Sequence, residues 1–202
     1  MANRNTTGFG LISAGTIGST PSTQGQGKYY VEAAYAQDLF QGCSVRMKDG
    51  FIEEAQSTTT FATIGVFNGI FYNASTTLKP TWANWYNQPI TPANSENLTC
   101  FVLDNPFQLF VGSASGAVTQ ANVGRTVSFG AAVPTGRESS GQCLDDIDIG
   151  TINDTLRQWR IIRSAEDPEN NDITNNFCSF VFAQNLGQYL LNTATVGNDW
   201  TI

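Results

Sequence analysis

The side chains that most often carry enzymatic chemistry are scarce in this sequence. Histidine, the commonest general base and metal ligand, is absent from all 202 residues. The cysteines form no CxxC pair, so a zinc site is not expected. Because Cys100 and Cys178 lie inside apolar runs, we expect buried thiols rather than a disulfide. The four are Cys43, Cys100, Cys143 and Cys178. We therefore predict no catalytic residue, no cofactor site and no metal site.

The acidic stretch that begins at Asp145 is the strongest candidate for carboxylate chemistry. Asp145, Asp146 and Asp148 suggest a calcium loop, but the glycine and glutamate spacing of an EF-hand is missing. Isoleucines alternate with these carboxylates, which favours a strand edge with the carboxylates in solvent and the isoleucines inward. Two carboxylates of a glycoside-cleaving enzyme could still converge in the fold, so that alternative stays open.

Three aromatic residues, Trp82, Trp85 and Tyr86, lie close together between Pro80 and Pro89. They could pack beneath a long connection. They could also form an exposed contact patch, since Trp and Tyr dominate interface hot spots, or a platform on which sugar rings stack. The sequence leaves the three interpretations open.

The segment 156–163 concentrates three of the ten cationic residues of the chain in one predicted strand. Alternate positions of a strand point to opposite faces. We therefore expect at least one arginine beside Trp159 and Ile161 on the inner face, or an edge strand with both faces used. A buried arginine would need an acceptor, supplied inside the chain or by another subunit.

The overall composition describes a folded, weakly charged protein. Hydrophobic residues make up 41% of the chain and charged residues only 13%, with a net charge of -7. This balance disfavours disorder and nucleic-acid binding. No apolar run is long enough for a membrane-spanning helix, and the first residues lack the apolar stretch of a signal peptide. A neutral, hydrogen-bonding surface instead favours contact with copies of the same chain or with another protein.

Short apolar runs separated by Gly, Pro and Asn predict an all-β fold over residues 28–202, an antiparallel sandwich or barrel-like domain. Asp49-Gly50 is a strong hairpin signal, because both residues tolerate positive φ. A single helical turn or a wide turn closed by Gly42 is expected at 36–41. Strands are predicted at 29–33, 43–48, 51–54, 64–72, 98–103, 107–111, 125–129, 144–149, 156–163 and 177–183.

Residues 1–27 differ from the rest, because they sustain neither the strand nor the helix period and a folded element is not expected there. The segment is either a frayed terminus or an extended arm that becomes ordered on a partner. Its apolar side chains are the candidate contacts: Phe9, Leu11, Ile12 and Ile17.

Several short motifs taken together resemble the capsid decoration, or structural cement, proteins of tailed bacteriophages. The match spans most of the chain, although the family's usual Asn-His ending is absent and residues 187–202 have no counterpart. The motifs are GFGL at 8–11, AAYAQDLFQGCSV at 33–45, IGVFNG at 64–69, LDNPFQLF at 103–110 and LRQWRII at 156–162.

The resemblance implies a non-enzymatic virion protein, made in the host cytoplasm, that sits on the outer capsid surface and bridges neighbouring capsomers. Its implied partners are the major capsid protein and other copies of itself, as a dimer or trimer, with neither nucleic acid nor membrane. The implied contacts are the apolar arm residues and Trp82, Trp85 and Tyr86. Alternatives are a carbohydrate-binding or adhesin module of the virion and a tail or connector component.

Overall fold

The computed structural model describes residues 3–18, 25–55, 62–130, 134–153 and 156–189. Over these residues the chain is all-β, with three single-turn 3₁₀ helices at Ala93–Ser95, Gln120–Asn122 and Ile149–Thr151. The strands are β1 (Ile12–Thr16), β2 (Gly27–Val31), β3 (Leu39–Phe40), β4 (Ser44–Lys48), β5 (Phe51–Glu54), β6 (Gly65–Asn73), β7 (Pro80–Ala83), β8 (Trp85–Tyr86), β9 (Leu98–Leu103), β10 (Gln108–Ser113), β11 (Thr126–Val127), β12 (Gly136–Arg137), β13 (Gln142–Cys143), β14 (Trp159–Ser164) and β15 (Ser179–Gln184).

Two antiparallel sheets make up the body of the domain. Sheet I has the strand order β1-β10-β15-β14-β11, and sheet II has the order β2-β9-β6-β4-β5 with β7 also paired to β6. Strands β2 and β5 lie near each other, so sheet II curls toward a barrel. Two further pairs, β3 with β8 and β12 with β13, complete the described strands. The predicted all-β, sandwich-like fold is confirmed.

The core lies between the two sheets, where alternate residues of each strand turn inward. Trp159 of β14 is fully buried, and its ring meets Phe110 of β10 edge-on with centroids 5.5 Å apart. The indole Nε1 donates to Ser44 Oγ of β4 at 3.2 Å, which ties sheet I to sheet II. Gln184 makes a second tie, because its amide donates to the Thr63 carbonyl at 2.6 Å. Both ties satisfy polar groups that burial would otherwise leave unpaired.

The hairpin predicted at Asp49-Gly50 is confirmed. The two residues have φ of 50° and 85° and join β4 to β5. Positive φ at both central positions is the geometry that matches the twist of the flanking strands.

The prediction that residues 1–27 contain no folded element is wrong for the part that forms β1. Ile12–Thr16 pairs with β10 at the edge of sheet I, with one extra residue at Ala14 that makes a β-bulge. Leu11, just before the strand, is only 3% exposed. Backbone pairing and the Gln108 amide, which donates to Ser13 Oγ at 2.8 Å, hold a segment that has no side-chain period. Residues 19–24 lie outside the described residues.

The inward-facing arginine expected at 156–163 is not found within β14, because this strand contains a bulge. Trp159 and Ile161 face the core, but an extra residue at Ile162 shifts the register before Arg163. Arg160 lies on the outer face, and because an added residue reverses the alternation, Arg163 is exposed as well. Arg157 precedes β14 and is half-buried, and its Nε is buried without a hydrogen-bond partner among the described residues.

Two other segments differ from a simple local pattern. Residues 36–41 make no helical turn; Leu39–Phe40 pair as β3, and a turn through Gly42 follows, in which the Cys43 backbone N–H donates to the Phe40 carbonyl at 3.0 Å. Residues 144–149 are not a strand, because only Ile147 makes isolated bridges, to Ala114 and Phe129. In both places tertiary pairing overrides the local pattern.

Candidate contact surface

The outer side of sheet II carries four aromatic side chains from four adjacent strands, which we call the aromatic face: Tyr30, Phe71, Trp82 and Phe101. Phe71 is paired with Trp82 on β7 and with Thr99 on β9, and Thr99 is paired with Tyr30 on β2. Paired residues of antiparallel strands point to the same side of the sheet. Tyr30, Phe71 and Trp82 remain 44%, 42% and 52% exposed.

The Trp82 ring packs against the sheet at a position where β6 has a glycine and therefore no side chain. Gly69 of β6, with φ of 151°, lies beneath it, and a Cβ added there would stand 2.7 Å from the Trp82 ring atom Cζ2. The indole also packs on Phe101, with ring centroids 5.3 Å apart. The exposed tryptophan is therefore fixed in position without being buried, which limits the side-chain entropy lost on binding.

Gly69→Ala is expected to lower the free energy of unfolding by about 2–3 kcal/mol and to move the Trp82 ring, because the new methyl group meets both ring and backbone. Denaturant unfolding and tryptophan fluorescence measure the two effects. Gly124→Ala is the matched control, since Gly124 has φ of 90° but a Cβ added there would have no atom within 4 Å. Equal destabilisation by the two variants would contradict the packing of Trp82 on Gly69.

A second exposed apolar pair lies where β1 and β10 meet, at one end of sheet I. Ile17 and Phe107 are 46% and 54% exposed. The Ile17 backbone N–H donates to the Phe107 carbonyl at 2.9 Å, which keeps the two residues together. Ile12, 50% exposed, lies at the other end of the same strand. The chain thus presents apolar surface on both sheets.

The structure leaves some of the contact residues predicted from the sequence exposed and buries others. Ile12, Ile17 and Trp82 are exposed and Phe9 is half-buried. Leu11 belongs to the core, so an intermolecular contact through its side chain is not possible in this fold. The exposed members Tyr30 and Phe71 were missed, because alternation alone cannot say which face of a strand is covered.

Of the three interpretations left open for Trp82, Trp85 and Tyr86, packing inside the fold applies to Tyr86 and in part to Trp85, and exposure applies to Trp82. Tyr86 is fully buried, and its hydroxyl donates to the Tyr35 carbonyl at 2.8 Å. Trp85 is half-buried and stacks on Phe40 with the ring planes 6° apart. Tyr86 points into the core from β8, and Trp85 is partly covered by Phe40 of the paired strand β3, which leaves Trp82 as the most exposed ring of the three.

The acidic stretch was expected in solvent, and for Asp145 this is wrong. Asp145 is 5% exposed and accepts from the Thr135 backbone N–H at 3.1 Å, and burial raises its pKa. Glu54 of β5 is 4% exposed. Burial and the nearby Asp145 carboxylate raise the pKa of Glu54 to about 8, and burial with Asp145 raises the pKa of Asp146 to about 6. Asp145 and Glu54 are therefore buried, whereas Asp146 is half-buried.

The prediction of buried thiols is confirmed, because all four cysteines are free and buried. Burial raises the pKa of Cys43 and Cys143, and that of Cys178 to about 11. A raised pKa leaves little thiolate for nucleophilic chemistry. Within the described ranges, no group of three or more metal-ligating side chains comes together.

Among the helices that the structure describes, none has the length and apolar character to cross a membrane. Comparison with protein-family models, with curated proteins and with solved structures found no match to this chain.

Proposed function

We propose that this protein is a non-catalytic structural component of a virus particle. In this proposal it is a capsid decoration protein that binds the outside of a phage head and bridges neighbouring capsomers. The observation that supports the proposal is the aromatic face, an exposed set of rings held on a rigid sheet in a chain of low charge. Such a face suits adhesion to another protein, because fixed aromatic side chains supply contact area at little entropic cost.

Bridging requires two contacts on one rigid body. The aromatic face lies on sheet II, whereas the pair formed by Ile17 and Phe107 lies on sheet I. The two sheets share one core, so a load on one surface is transmitted to the other without a hinge. Two weak contacts per copy raise the effective concentration at the second site and slow release from the shell.

The partners in this proposal are the major capsid protein and neighbouring copies of this chain. The net charge of -7 disfavours adhesion to the packaged nucleic acid. Closed symmetric oligomers, a dimer or a trimer, suit the two-fold and three-fold positions of a capsid lattice.

The test is binding to undecorated heads assembled from the cognate major capsid protein. We expect the wild-type chain to saturate the heads and the double variant Phe71→Ala, Trp82→Ala to bind about 30-fold more weakly, as for loss of an interface hot spot. Sedimentation of heads with labelled protein measures the occupancy. Both side chains are exposed, so the variant keeps its core.

Leu78→Ala is the matched control, since Leu78 is 73% exposed but does not belong to the aromatic face. It should bind like the wild type. The proposal is wrong if the wild-type chain does not bind heads, or if the double variant binds them as tightly as the control.

A further inference from the structure

We propose that a cleft between the N-terminal segment and the ends of β6 and β9 is a binding site for a neutral sugar ring. The cleft has a volume of about 400 Å³ and is partly open to solvent. This volume lies within the range of small-molecule sites. The inference goes beyond capsid binding and does not depend on it.

The lining of the cleft disfavours charged ligands. Its polar side chains are all neutral: Ser13, Gln26, Gln41, Asn68 and Gln142. Because no lysine or arginine lines the cleft, a phosphate or carboxylate ligand would make no charge-assisted hydrogen bond with a side chain there. A neutral ligand with many hydroxyl groups needs no such bond.

The amide groups are pre-arranged by a chain of hydrogen bonds. Asn84 Nδ2 donates to Gln41 Oε1 at 3.4 Å, and Gln41 Nε2 donates to Asn68 Oδ1 at 2.8 Å. This order leaves the Nδ2 donors of Asn68 with no acceptor among the described residues. Asn68 is the extra residue of a bulge in β6, a local irregularity that often re-aims a side chain next to a binding site.

Gln142 supplies the complementary group. Its Nε2 donates to the Phe9 carbonyl at 3.3 Å, which fixes the amide and leaves Oε1 free to accept within the described part of the chain. The cleft therefore offers a donor on one residue and an acceptor on another. A sugar hydroxyl can both accept and donate, so adjacent hydroxyls of one ring can satisfy both amides.

The remaining walls are apolar and include Phe9 and Leu103. Sugar rings have one face rich in C–H groups, and that face is favourably buried against apolar side chains. The combination of apolar walls with a small number of placed amides is the usual design of a site for a neutral, partly polar ligand.

The experiment is a titration of the full-length, ¹⁵N-labelled chain with D-glucose, D-galactose, D-mannose and N-acetyl-D-glucosamine, each to about 50 mM because single rings bind weakly. We expect saturable shifts for at least one sugar, centred on the backbone amides of Gly42, Asn68 and Gln142. Asn68→Ala and Gln142→Ala should each weaken that binding about tenfold. Gln120→Ala, which removes an exposed amide outside the cleft, should leave it unchanged.

Three results would contradict the proposed sugar site. The first is the absence of a saturable shift with all four sugars, and the second is sugar binding that neither cleft variant weakens. The third is saturation by N-acetyl-leucinamide but by no sugar, which would assign the cleft to an apolar peptide. Gln26→Ala is a third variant in case the other two fail to fold, because Gln26 precedes β2 and has no described hydrogen bond. This variant should also weaken sugar binding.

Binding to heads is tested in parallel and is expected to be unchanged by Gln142→Ala. The sugar site and the capsid-binding function can therefore be disproved independently of each other.

Discussion

Replacing Trp159 by alanine is expected to lower the free energy of unfolding by about 3–5 kcal/mol, because the change leaves a cavity between the two sheets. The indole is fully buried, packs edge-on against Phe110 and donates to Ser44 Oγ across the core. Total stabilities of domains are about 5–15 kcal/mol, so the variant loses a large part of its margin. Urea unfolding followed by circular dichroism measures the change.

Two variants show whether the effect comes from the core position. Trp159→Phe keeps an aromatic ring and loses the indole N–H, so about half of the destabilisation is expected. Ser44 Oγ keeps its hydrogen bond with Thr63 in that variant, 3.1 Å long. Trp82→Ala removes the same side chain from a half-exposed site and should lower the free energy of unfolding by only about 1–2 kcal/mol. Equal losses at positions 82 and 159 would contradict the arrangement of the sheets.

Glu54→Gln is expected to stabilise the protein at alkaline pH by about 2 kcal/mol and to have a much smaller effect in acid. The pKa of the Glu54 carboxyl is raised to about 8 by burial and by Asp145, with a smaller contribution from Glu53, while Arg46 lowers it. The folded protein therefore holds a proton that the unfolded chain releases. The free energy of unfolding of the wild-type protein therefore falls as the pH rises from the pKa of this carboxyl in the unfolded chain towards 8. The glutamine variant has no such proton to release, so it does not lose this contribution.

Unfolding in urea at about pH 5 and about pH 8 measures this difference between the wild-type chain and the variant. Tyr35 and Cys43 also lie near Glu54, and their pKa values are raised, so both stay neutral over this range. Glu96→Gln, at an exposed position, is the control for loss of one negative charge. A variant that stabilises the protein equally at both pH values, or more in acid, would contradict the burial of Glu54.

The regular strands of the fold were predictable because their signals are local. The segments at 51–54 and 98–103 have the bounds that the sequence predicts, since clear alternation is bounded by turn residues. Strand β1 was not predictable, because Ile12–Thr16 is held by the backbone of β10 and by one glutamine side chain. A short edge strand with a bulge has no period that a sequence pattern can show.

The contact surface was predictable only in part, because exposure depends on which strands pair. Trp82 and Tyr86 lie in the same short aromatic-rich segment, yet Trp82 on β7 is exposed and Tyr86 on β8 is buried in the core. The aromatic face joins residues of four separate strands through register, and no local motif encodes this. The burial of Asp145 was missed for a similar reason, since its hydrogen bonds come from Thr135 on another segment.

The extra residue at Ala14 affects how neighbouring copies of the chain can associate. Among the described strands, β1 is at one edge of sheet I, where a straight strand would favour pairing with another chain. The bulge disturbs the regular spacing of backbone amide and carbonyl groups along this edge. It therefore opposes edge-to-edge pairing of sheets from neighbouring molecules. High local concentration should therefore give discrete neighbours that meet through side chains, rather than amyloid-like fibres.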